Sequence, residues 1–403
     1  MGKRYVLTPP PRYRGVQPLP SEPEPEPEPN RTEPIAPRGG NHLVTDPVAR
    51  PRPSVPRADR RFVGRAVADV HGRRQDVPLA APVAGLQALA ERLTPSFYID
   101  FGRPCNSACL YCAVPPHEDA QGFAPVTGVP DIIDAGIRCG CDRAILIGGE
   151  PTIYPHLDEV FGYLRAAGLP PRHIVMTNGL RLGDPGFCDT LAAGGVATIH
   201  ISIDTVDGDT YDRLSRSTGR LPKQLRGLDA ALQHPALFTY VYTATSAINA
   251  PTLPGLLQDL HERSDRLGLH APPPVLFAVV KPIGDGLRHA DDLLLTPRAS
   301  ADLVRGLVAR GAELGLTVGF RNVQACLAPD LVAHNVDYYL DDFSVEVASG
   351  LRVVNSHSEY WLKPDSCRRC GHDALCTGIY RDLEVRMGSA DFQPIGREGL
   401  VRG

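Results

Sequence analysis

The chain has 403 residues, 42% of them hydrophobic, which leaves room for one large folded domain with extensions. Its formal charge of −4 gives no indication of nucleic-acid binding, and no apolar run in it is long enough to span a bilayer. The short apolar run near the first residue breaks at a proline triplet. We therefore expect no signal peptide, a cytoplasmic location, and metal ligands rather than disulfides among the ten cysteines. Cys139, Cys141 and Cys188 lack metal-ligand spacing and are expected to be buried apolar residues.

Residues 1–60 differ in composition from the rest of the chain. They hold 15 of the 40 prolines and include an alternating Glu-Pro run at 21–29. Such a run has nothing apolar to bury and cannot form a helix, so we expect a disordered proline-rich tail, either a solvated segment or an arm that docks a partner. Residues 61–95 form a short N-terminal extension, in which apolar residues three and four apart predict a helix over 82–93.

From residue 96 to residue 315, short β-rich runs alternate with helical patterns. The six runs lie at 97–101, 144–147, 173–176, 198–203, 238–243 and 275–280. Strands joined by crossover helices pair in parallel with right-handed connections, and the resulting sheet curls. The pattern therefore predicts an α/β fold whose ligands lie at the C-terminal ends of the strands.

Three cysteines lie within eight residues just after the first predicted strand: Cys105, Cys109 and Cys112. Spacings of four and three residues let one loop turn all three thiols toward one point. Soft thiolates suit an iron–sulfur cluster or zinc, and both usually take four protein ligands. A four-iron cluster held by three thiolates would keep one iron open to bind a small molecule. A three-thiol zinc loop is the alternative that the residues alone leave open.

With Tyr111 before its last cysteine, this loop resembles the C-x3-C-x2-C signature of the radical S-adenosylmethionine (SAM) superfamily. The resemblance covers about residues 95–380 and implies a partial (β/α)6 TIM-type barrel. It also implies a 4Fe-4S cluster on Cys105, Cys109 and Cys112, whose open iron is chelated by SAM. In that family one electron cleaves SAM to methionine and a 5′-deoxyadenosyl radical. Tyr111 is the candidate to stack on the adenine.

Three motifs at later strand ends also resemble this family. The first matches its GGEP motif, which hydrogen-bonds the SAM amino group, the second its TNG motif, and the third the S-x-D strand end that contacts the SAM ribose and carboxylate. The matching residues are Gly148, Gly149, Glu150 and Pro151, then Asn178, then Ser202 and Asp204. Glycines let the backbone approach a ligand closely. An ordinary strand-end turn is the alternative for GGEP, and a turn asparagine is the alternative for Asn178. No catalytic acid or base can be named.

Residues 316–403 form a predicted C-terminal region with a second cysteine set, Cys367, Cys370 and Cys376. Their spacing resembles the core of the SPASM and twitch extensions, which hold auxiliary 4Fe-4S clusters. The match is incomplete, because Tyr380 stands where the full SPASM pattern has another cysteine, so we expect one auxiliary cluster. Cys326 is the expected fourth ligand and His372 the second choice. A structural zinc site is the alternative.

These features predict a radical SAM enzyme that abstracts a substrate hydrogen, and they leave its substrate open. An auxiliary cluster favours oxidative modification of a ribosomally made peptide. The absence of a separate peptide-recognition domain in 61–95 favours a small molecule such as a sugar, nucleotide or amino acid. A non-catalytic iron–sulfur sensor fits least, since a sensor has no need of SAM motifs. The expected electron donor is a flavodoxin or ferredoxin, and no nucleic-acid or membrane partner is expected.

Overall fold

Seven parallel strands form the central sheet, and they pair in chain order. We describe this fold from a computed structural model that covers residues 82–93, 96–114, 122–138, 140–338, 361–373, 376 and 378–396, together with the backbone of four short strands at 65–68, 74–77, 343–346 and 352–355. The strands are β3 (Phe97–Asp100), β4 (Ala144–Ile147), β5 (His173–Thr177), β6 (Val196–Ser202), β7 (Phe238–Thr245), β8 (Val275–Val279) and β9 (Val318–Arg321). The sheet is open, with β3 and β9 as its edges, which confirms the α/β partial barrel.

The sheet has one strand more than the six predicted. Strand β9 pairs in parallel with β8, so that Phe277 lies opposite Phe320. From the sequence alone this short run, Val318–Arg321, is equally compatible with an isolated strand, because no further β/α unit follows it. The barrel sheet therefore continues past residue 315, where the sequence predicts a boundary. The predicted tail, 1–60, lies outside the described residues.

Helices follow the strands and cover the outer face of the sheet. They are α2 (Val129–Arg138), α3 (Leu157–Ala166), α4 (Phe187–Ala193), α5 (Gly208–Ser215), α6 (Leu221–Gln233), α7 (Leu253–Arg266), α8 (Asp285–Arg288), α9 (Ala290–Leu293) and α10 (Pro297–Glu313). Side chains cap two of them, since Asp207 accepts from the backbone N–H of Thr210 and Thr296 from that of Ala299. No helix in the described ranges is both long and apolar enough to cross a membrane.

The helix predicted at 82–93 lies inside the curl of the sheet. It is α1 (Ala84–Leu93), and its buried leucines pack on inward side chains of the strands, among them Ile145, Ile174 and Leu276. The guanidinium of Arg143, at the start of β4, donates to the backbone carbonyls of Glu91 and Arg92 at the end of the helix. Because these contacts lie at the N-terminal ends of the strands, α1 fills that end and leaves the C-terminal ends for a ligand.

The C-terminal region adds short elements beyond β9. Strand β10 (Phe343–Glu346) pairs antiparallel with β11 (Arg352–Asn355), and β12 (Trp361–Leu362) pairs antiparallel with β13 (Ile379–Tyr380). Helix α11 (Arg381–Met387) follows β13. Near the start of the chain, β1 (Arg65–Ala68) and β2 (Arg74–Val77) form a separate hairpin.

Candidate active site

The three-cysteine loop crosses the C-terminal ends of β3 and β4. Two backbone hydrogen bonds attach it there, from the N–H of Gly149 to the carbonyl of Gly102 at 2.7 Å and from the N–H of Glu150 to that of Pro104 at 3.0 Å. A Cβ atom on Gly149 would lie 2.3 Å from the Pro104 carbonyl oxygen, which no real side chain tolerates. Glycine at this position is therefore required for the loop to lie on the strand end.

The far end of the same loop is attached to α5 and to the segment after β8. The N–H of Leu110 donates to the carbonyl of Leu214 at 2.9 Å, and the N–H of Asp285 donates to the carbonyl of Cys112 at 2.9 Å. Gly284 has φ of +56°, and a Cβ there would lie 2.6 Å from the Cys112 carbonyl oxygen. The loop is thus fixed along its length by backbone hydrogen bonds to three parts of the barrel, the end of β4, helix α5 and the segment after β8.

All three thiols of the loop are half-buried, and none is in a disulfide. Burial raises the pKa of Cys105 to about 12, with smaller contributions from the charges of Glu150 and of the two other thiols. Burial also raises the pKa of Cys109 to about 11, although the hydrogen bond between its sulfur and the Ser107 hydroxyl, at 3.4 Å, lowers the pKa. Neighbouring buried thiols lose their protons when a positive centre compensates them, so this donor set fits a metal cluster.

The Glu150 carboxylate connects the ends of β4 and β5. It is buried, and one of its oxygens accepts from the backbone N–H and the hydroxyl of Thr152 and from the hydroxyl of Thr177, at 3.0, 2.6 and 2.6 Å. Its other oxygen accepts from the N–H of Asn178 at 2.8 Å. Burial raises the pKa of Glu150, and these hydrogen bonds oppose the shift. The carboxylate therefore has a structural task in addition to any ligand contact.

Asn178 and Ser202 lie at adjacent strand ends and share one partner, Gln224 of α6. The Gln224 amide donates to the backbone carbonyls of Asn178 and Ser202 at 2.8 and 3.0 Å. The Asn178 amide in turn donates to the side chain of Asn106 in the cysteine loop at 2.6 Å. Neither Gln224 nor Asn106 is among the residues that define the sequence motifs. A signal for Gln224 exists, because it is a polar residue within the buried stripe of α6.

Tyr111 and Asp204 contact one another directly. The Tyr111 hydroxyl donates to one carboxylate oxygen of Asp204, and the N–H of Ala244 in β7 donates to the other at 2.8 Å. Burial raises the pKa of Asp204 to about 6, against these two hydrogen bonds. It also raises the pKa of Tyr111, and the neighbouring charge of Asp204 adds to that rise. Both residues thus hold the cysteine loop against the ends of β6 and β7.

The inner wall of the barrel carries a second polar group. The ring nitrogen Nδ1 of His200 lies 2.8 Å from the hydroxyl of Tyr240, and the His200 ring stacks on Tyr242 with centroids 4.4 Å apart. Burial and the charge of Arg321 lower the pKa of His200 to about 3, so the imidazole is neutral at pH 7. Arg321 pairs with Asp337 at 2.7 Å. Alternating strand positions bring these side chains to one wall.

Four cysteines of the C-terminal region line one cavity. They are Cys326, Cys367, Cys370 and Cys376, and Gln324 and Lys363 line it with them. Burial raises the pKa of Cys326 to about 12, and the charges of the three other thiols add to the rise. The structure therefore places Cys326 at the same cavity as the other three. No group of three or more His, Cys, Asp or Glu side chains in the described ranges is gathered closely enough to hold a single metal ion.

His372 lines the same cavity with an unsatisfied nitrogen. The residue is 2% exposed, and its Nδ1 atom has no hydrogen-bond partner among the residues that the structure describes. Such a buried polar atom costs about 1–3 kcal/mol unless a partner satisfies it. The backbone N–H of Gly378 donates to the Cys376 sulfur at 3.3 Å. A sulfur-rich group held by the four thiols would supply the missing acceptor or donor, so these residues fit a cluster.

Fold and site together define an α/β partial-barrel protein with a three-cysteine loop on the C-terminal ends of its strands. Residues 99–244 match the family model of the radical SAM superfamily, and this part of the chain is a radical SAM domain. Domains of this superfamily use a 4Fe-4S cluster and SAM.

Relatives of two kinds match this domain. A probable GTP 3′,8-cyclase of Methanocella arvoryzae is 32% identical over 149 residues, which is 36% of this chain and 46% of the relative. A PqqA peptide cyclase of Xanthomonas oryzae pv. oryzae is 27% identical over 163 residues, 40% of this chain and 43% of the relative. The chain spans about half the length of the curated relatives it matches.

Solved structures share the fold. The chain is similar to anSMEcpe with bound AdoMet and Kp18Cys peptide at a TM-score of 0.52 and 12% identity, covering 75% of this chain and 93% of the other. It is similar to Streptococcus suis SuiB bound to the precursor peptide SuiA at a TM-score of 0.51 and 12% identity, covering 78% of each chain. At these identities the likeness establishes the fold alone.

Proposed function

We propose that this protein is a radical SAM enzyme that oxidatively modifies a ribosomally made peptide. Cys105, Cys109 and Cys112 would hold its SAM-binding cluster. When bound, that cluster supplies the electron that cleaves SAM to methionine and a 5′-deoxyadenosyl radical, which abstracts a substrate hydrogen. The observation that carries the proposal is the attachment of the three-thiol loop to the strand ends that bear the other SAM motifs.

The motif residues divide into two tasks under this proposal. Gly148, Gly149 and Ser202 are half-buried residues at the strand ends and would contact SAM. Pro151 opens the short turn after the strand. The Glu150 carboxylate joins the ends of β4 and β5, where it accepts from the N–H of Asn178. Asn178 and Asp204 in turn bond to Asn106 and Tyr111 of the cysteine loop. Their contribution to SAM binding would be largely through the position of that loop.

A second cluster would be held by Cys326, Cys367, Cys370 and Cys376. Tetrahedral zinc with Zn–S bonds of about 2.3 Å draws its sulfurs to within about 4 Å of one another. The four thiols line one cavity, and within the described ranges they are not gathered closely enough to hold a single metal ion. This arrangement supports the auxiliary 4Fe-4S cluster over structural zinc. It would accept an electron from the substrate radical or bind the substrate, either of which suits oxidative bond formation.

A peptide substrate is favoured by the auxiliary site and by the fold. The fold that this chain shares with SuiB covers 78% of each chain, and SuiB is described with a precursor peptide bound. A small-molecule substrate is the second candidate. The similarity to GTP 3′,8-cyclases supports it, although the aligned region covers only 46–63% of the length of three of those relatives. We also propose a flavodoxin or ferredoxin as electron donor and the reducing cytoplasm as location.

The test of the peptide proposal is co-expression of the protein with each short peptide encoded beside its gene. Mass spectrometry should show a peptide that has lost two hydrogen atoms for each new bond. The matched control is the triple Cys105→Ala/Cys109→Ala/Cys112→Ala variant, which should leave the peptide unchanged. Unmodified peptides together with conversion of a nucleotide or sugar by the purified protein would move the proposal to the small-molecule class.

A further inference from the structure

A basic surface segment lies directly beside the three-cysteine loop. Residues 213–228, which we call the cationic segment, contain five Arg or Lys residues and no Asp or Glu. They are Arg213, Arg216, Arg220, Lys223 and Arg226, and all five are exposed. The segment spans the end of α5, the loop after it and the first turns of α6.

The backbone of the cationic segment pairs with the backbone of the cysteine loop. The N–H groups of Ala108 and Leu110 donate to the carbonyls of Ser215 and Leu214 at 3.3 and 2.9 Å. The Arg220 guanidinium donates to the carbonyl of Asn106 at 2.6 Å. These contacts lie between and beside Cys105 and Cys109, so a protein bound to the segment would sit next to the thiols of the barrel site.

Most of the positive charge of the segment remains available to a partner. Arg213 pairs with Asp292 at 3.6 Å and Lys223 with Asp184 at 3.3 Å, but both pairs are solvent-exposed and such pairs contribute little. Arg220 and Arg226 have no carboxylate partner among the residues that the structure describes. Arg216 contacts the ring of His289, which is not an acid.

We propose that the cationic segment is the docking surface for an acidic protein that carries one electron to the barrel site. This proposal rests on the proposed function, since an electron must reach the site from outside. The carrier loses one electron and the protein gains it, and no proton or covalent bond moves. Charge complementarity speeds and orients such encounters and suppresses wrong partners. The position of the segment beside Cys105 and Cys109 keeps the transfer distance short.

The test measures binding first and reduction second, with a reduced acidic flavodoxin as the probe. The variant is Arg216→Glu/Lys223→Glu, because neither side chain contacts the cysteine loop. At low salt its Kd for flavodoxin should rise about ten-fold or more, and the difference from the unaltered protein should shrink as salt is raised. Flavodoxin-driven release of 5′-deoxyadenosine should fall in parallel, while dithionite-driven release should stay within about two-fold.

The matched control reverses the same amount of charge elsewhere. Arg138→Glu/Arg165→Glu alters exposed residues near the C-terminal ends of α2 and α3, which point away from the site, and should leave the flavodoxin Kd unchanged. An unchanged Kd in the Arg216→Glu/Lys223→Glu variant would overturn the proposal, and so would equal weakening in both variants. Absence of dithionite-driven release from the unaltered protein would instead count against the proposed function.

Discussion

The hydroxyl of Tyr111 donates a hydrogen bond to the carboxylate of Asp204, 93 residues further along the chain. The second carboxylate oxygen accepts from the N–H of Ala244 at 2.8 Å. One side chain of a cysteine motif is thereby joined to two strand ends of the barrel. The contact explains how residues from separate motifs act together, since the geometry of the thiols depends on the loop that Tyr111 anchors.

Replacing Tyr111 with Phe should lower the free energy of unfolding by about 1.5–3 kcal/mol, the usual contribution of a hydrogen bond to a charged group. The ring remains, so any stacking on a ligand is kept. Urea denaturation measures the loss, with Tyr163→Phe as the control because Tyr163 packs on the outer core. Equal stability of the Tyr111→Phe variant and the unaltered protein would show that the contact contributes nothing.

Asp204 should make stability depend on pH in a definite direction. Burial raises its pKa to about 6 from an ordinary value of 3.8. Between these values the folded protein binds more protons at this site than the unfolded chain, so the stability that Asp204 contributes falls as pH rises from about 4 to about 6. The measurement subtracts the unfolding free energy of Asp204→Asn from that of the unaltered protein at each pH, and this value should fall as pH rises. A value that instead rises with pH would contradict the assigned shift.

Glu150 should matter for both folding and SAM binding. Glu150→Ala removes the acceptor for four hydrogen bonds and leaves buried donors unpaired, at about 1–3 kcal/mol each. We expect a lower melting temperature and weaker SAM binding by calorimetry. Glu150→Gln keeps one acceptor oxygen and should lose less of both. If Glu150→Ala weakened SAM binding while its stability stayed at the original value, the carboxylate would act by direct contact alone.

Loss of Cys326 together with Cys370 should remove the auxiliary cluster and spare the barrel cluster, because only two thiols of that set remain. Anaerobically reconstituted protein should hold about eight irons, one four-iron cluster for each cysteine set, and Cys326→Ala/Cys370→Ala about four. Release of 5′-deoxyadenosine should persist in this variant, whereas the substrate product should be lost. Cys188→Ala is the control, since that thiol is buried beside the carbonyl of Leu182 on the outer side of the sheet. An iron content near eight in Cys326→Ala/Cys370→Ala would reject the assignment of these thiols.

Much of this architecture follows from short-range patterns in the sequence. The alternation of buried runs and helical stripes predicts the parallel sheet, and cysteine spacing predicts both sulfur-lined sites. The meeting of Cys326 with Cys367, Cys370 and Cys376 is also anticipated, because a closed site needs a fourth ligand. Local patterns carry this information, since each depends on residues within a few turns of one another.

What the sequence does not predict are contacts between distant segments. The helical pattern marks Gln224 as a polar residue on a buried stripe, but it does not show that its amide donates to carbonyls at two strand ends. The motifs predict that Glu150 and Asp204 contact SAM, whereas in the fold their carboxylate oxygens accept hydrogen bonds from protein donors. His200 and Arg321 come together only through the curl of the sheet. Such contacts depend on tertiary geometry, which no spacing rule encodes.

The most direct test of the account is the release of 5′-deoxyadenosine. Protein reconstituted anaerobically with iron and sulfide, supplied with SAM and dithionite, should form 5′-deoxyadenosine and methionine, both quantified by mass spectrometry. The triple Cys105→Ala/Cys109→Ala/Cys112→Ala variant should form neither above background. Absence of 5′-deoxyadenosine from the iron-loaded protein, or equal amounts from the triple variant, would contradict the assignment of these three thiols to a SAM-cleaving site.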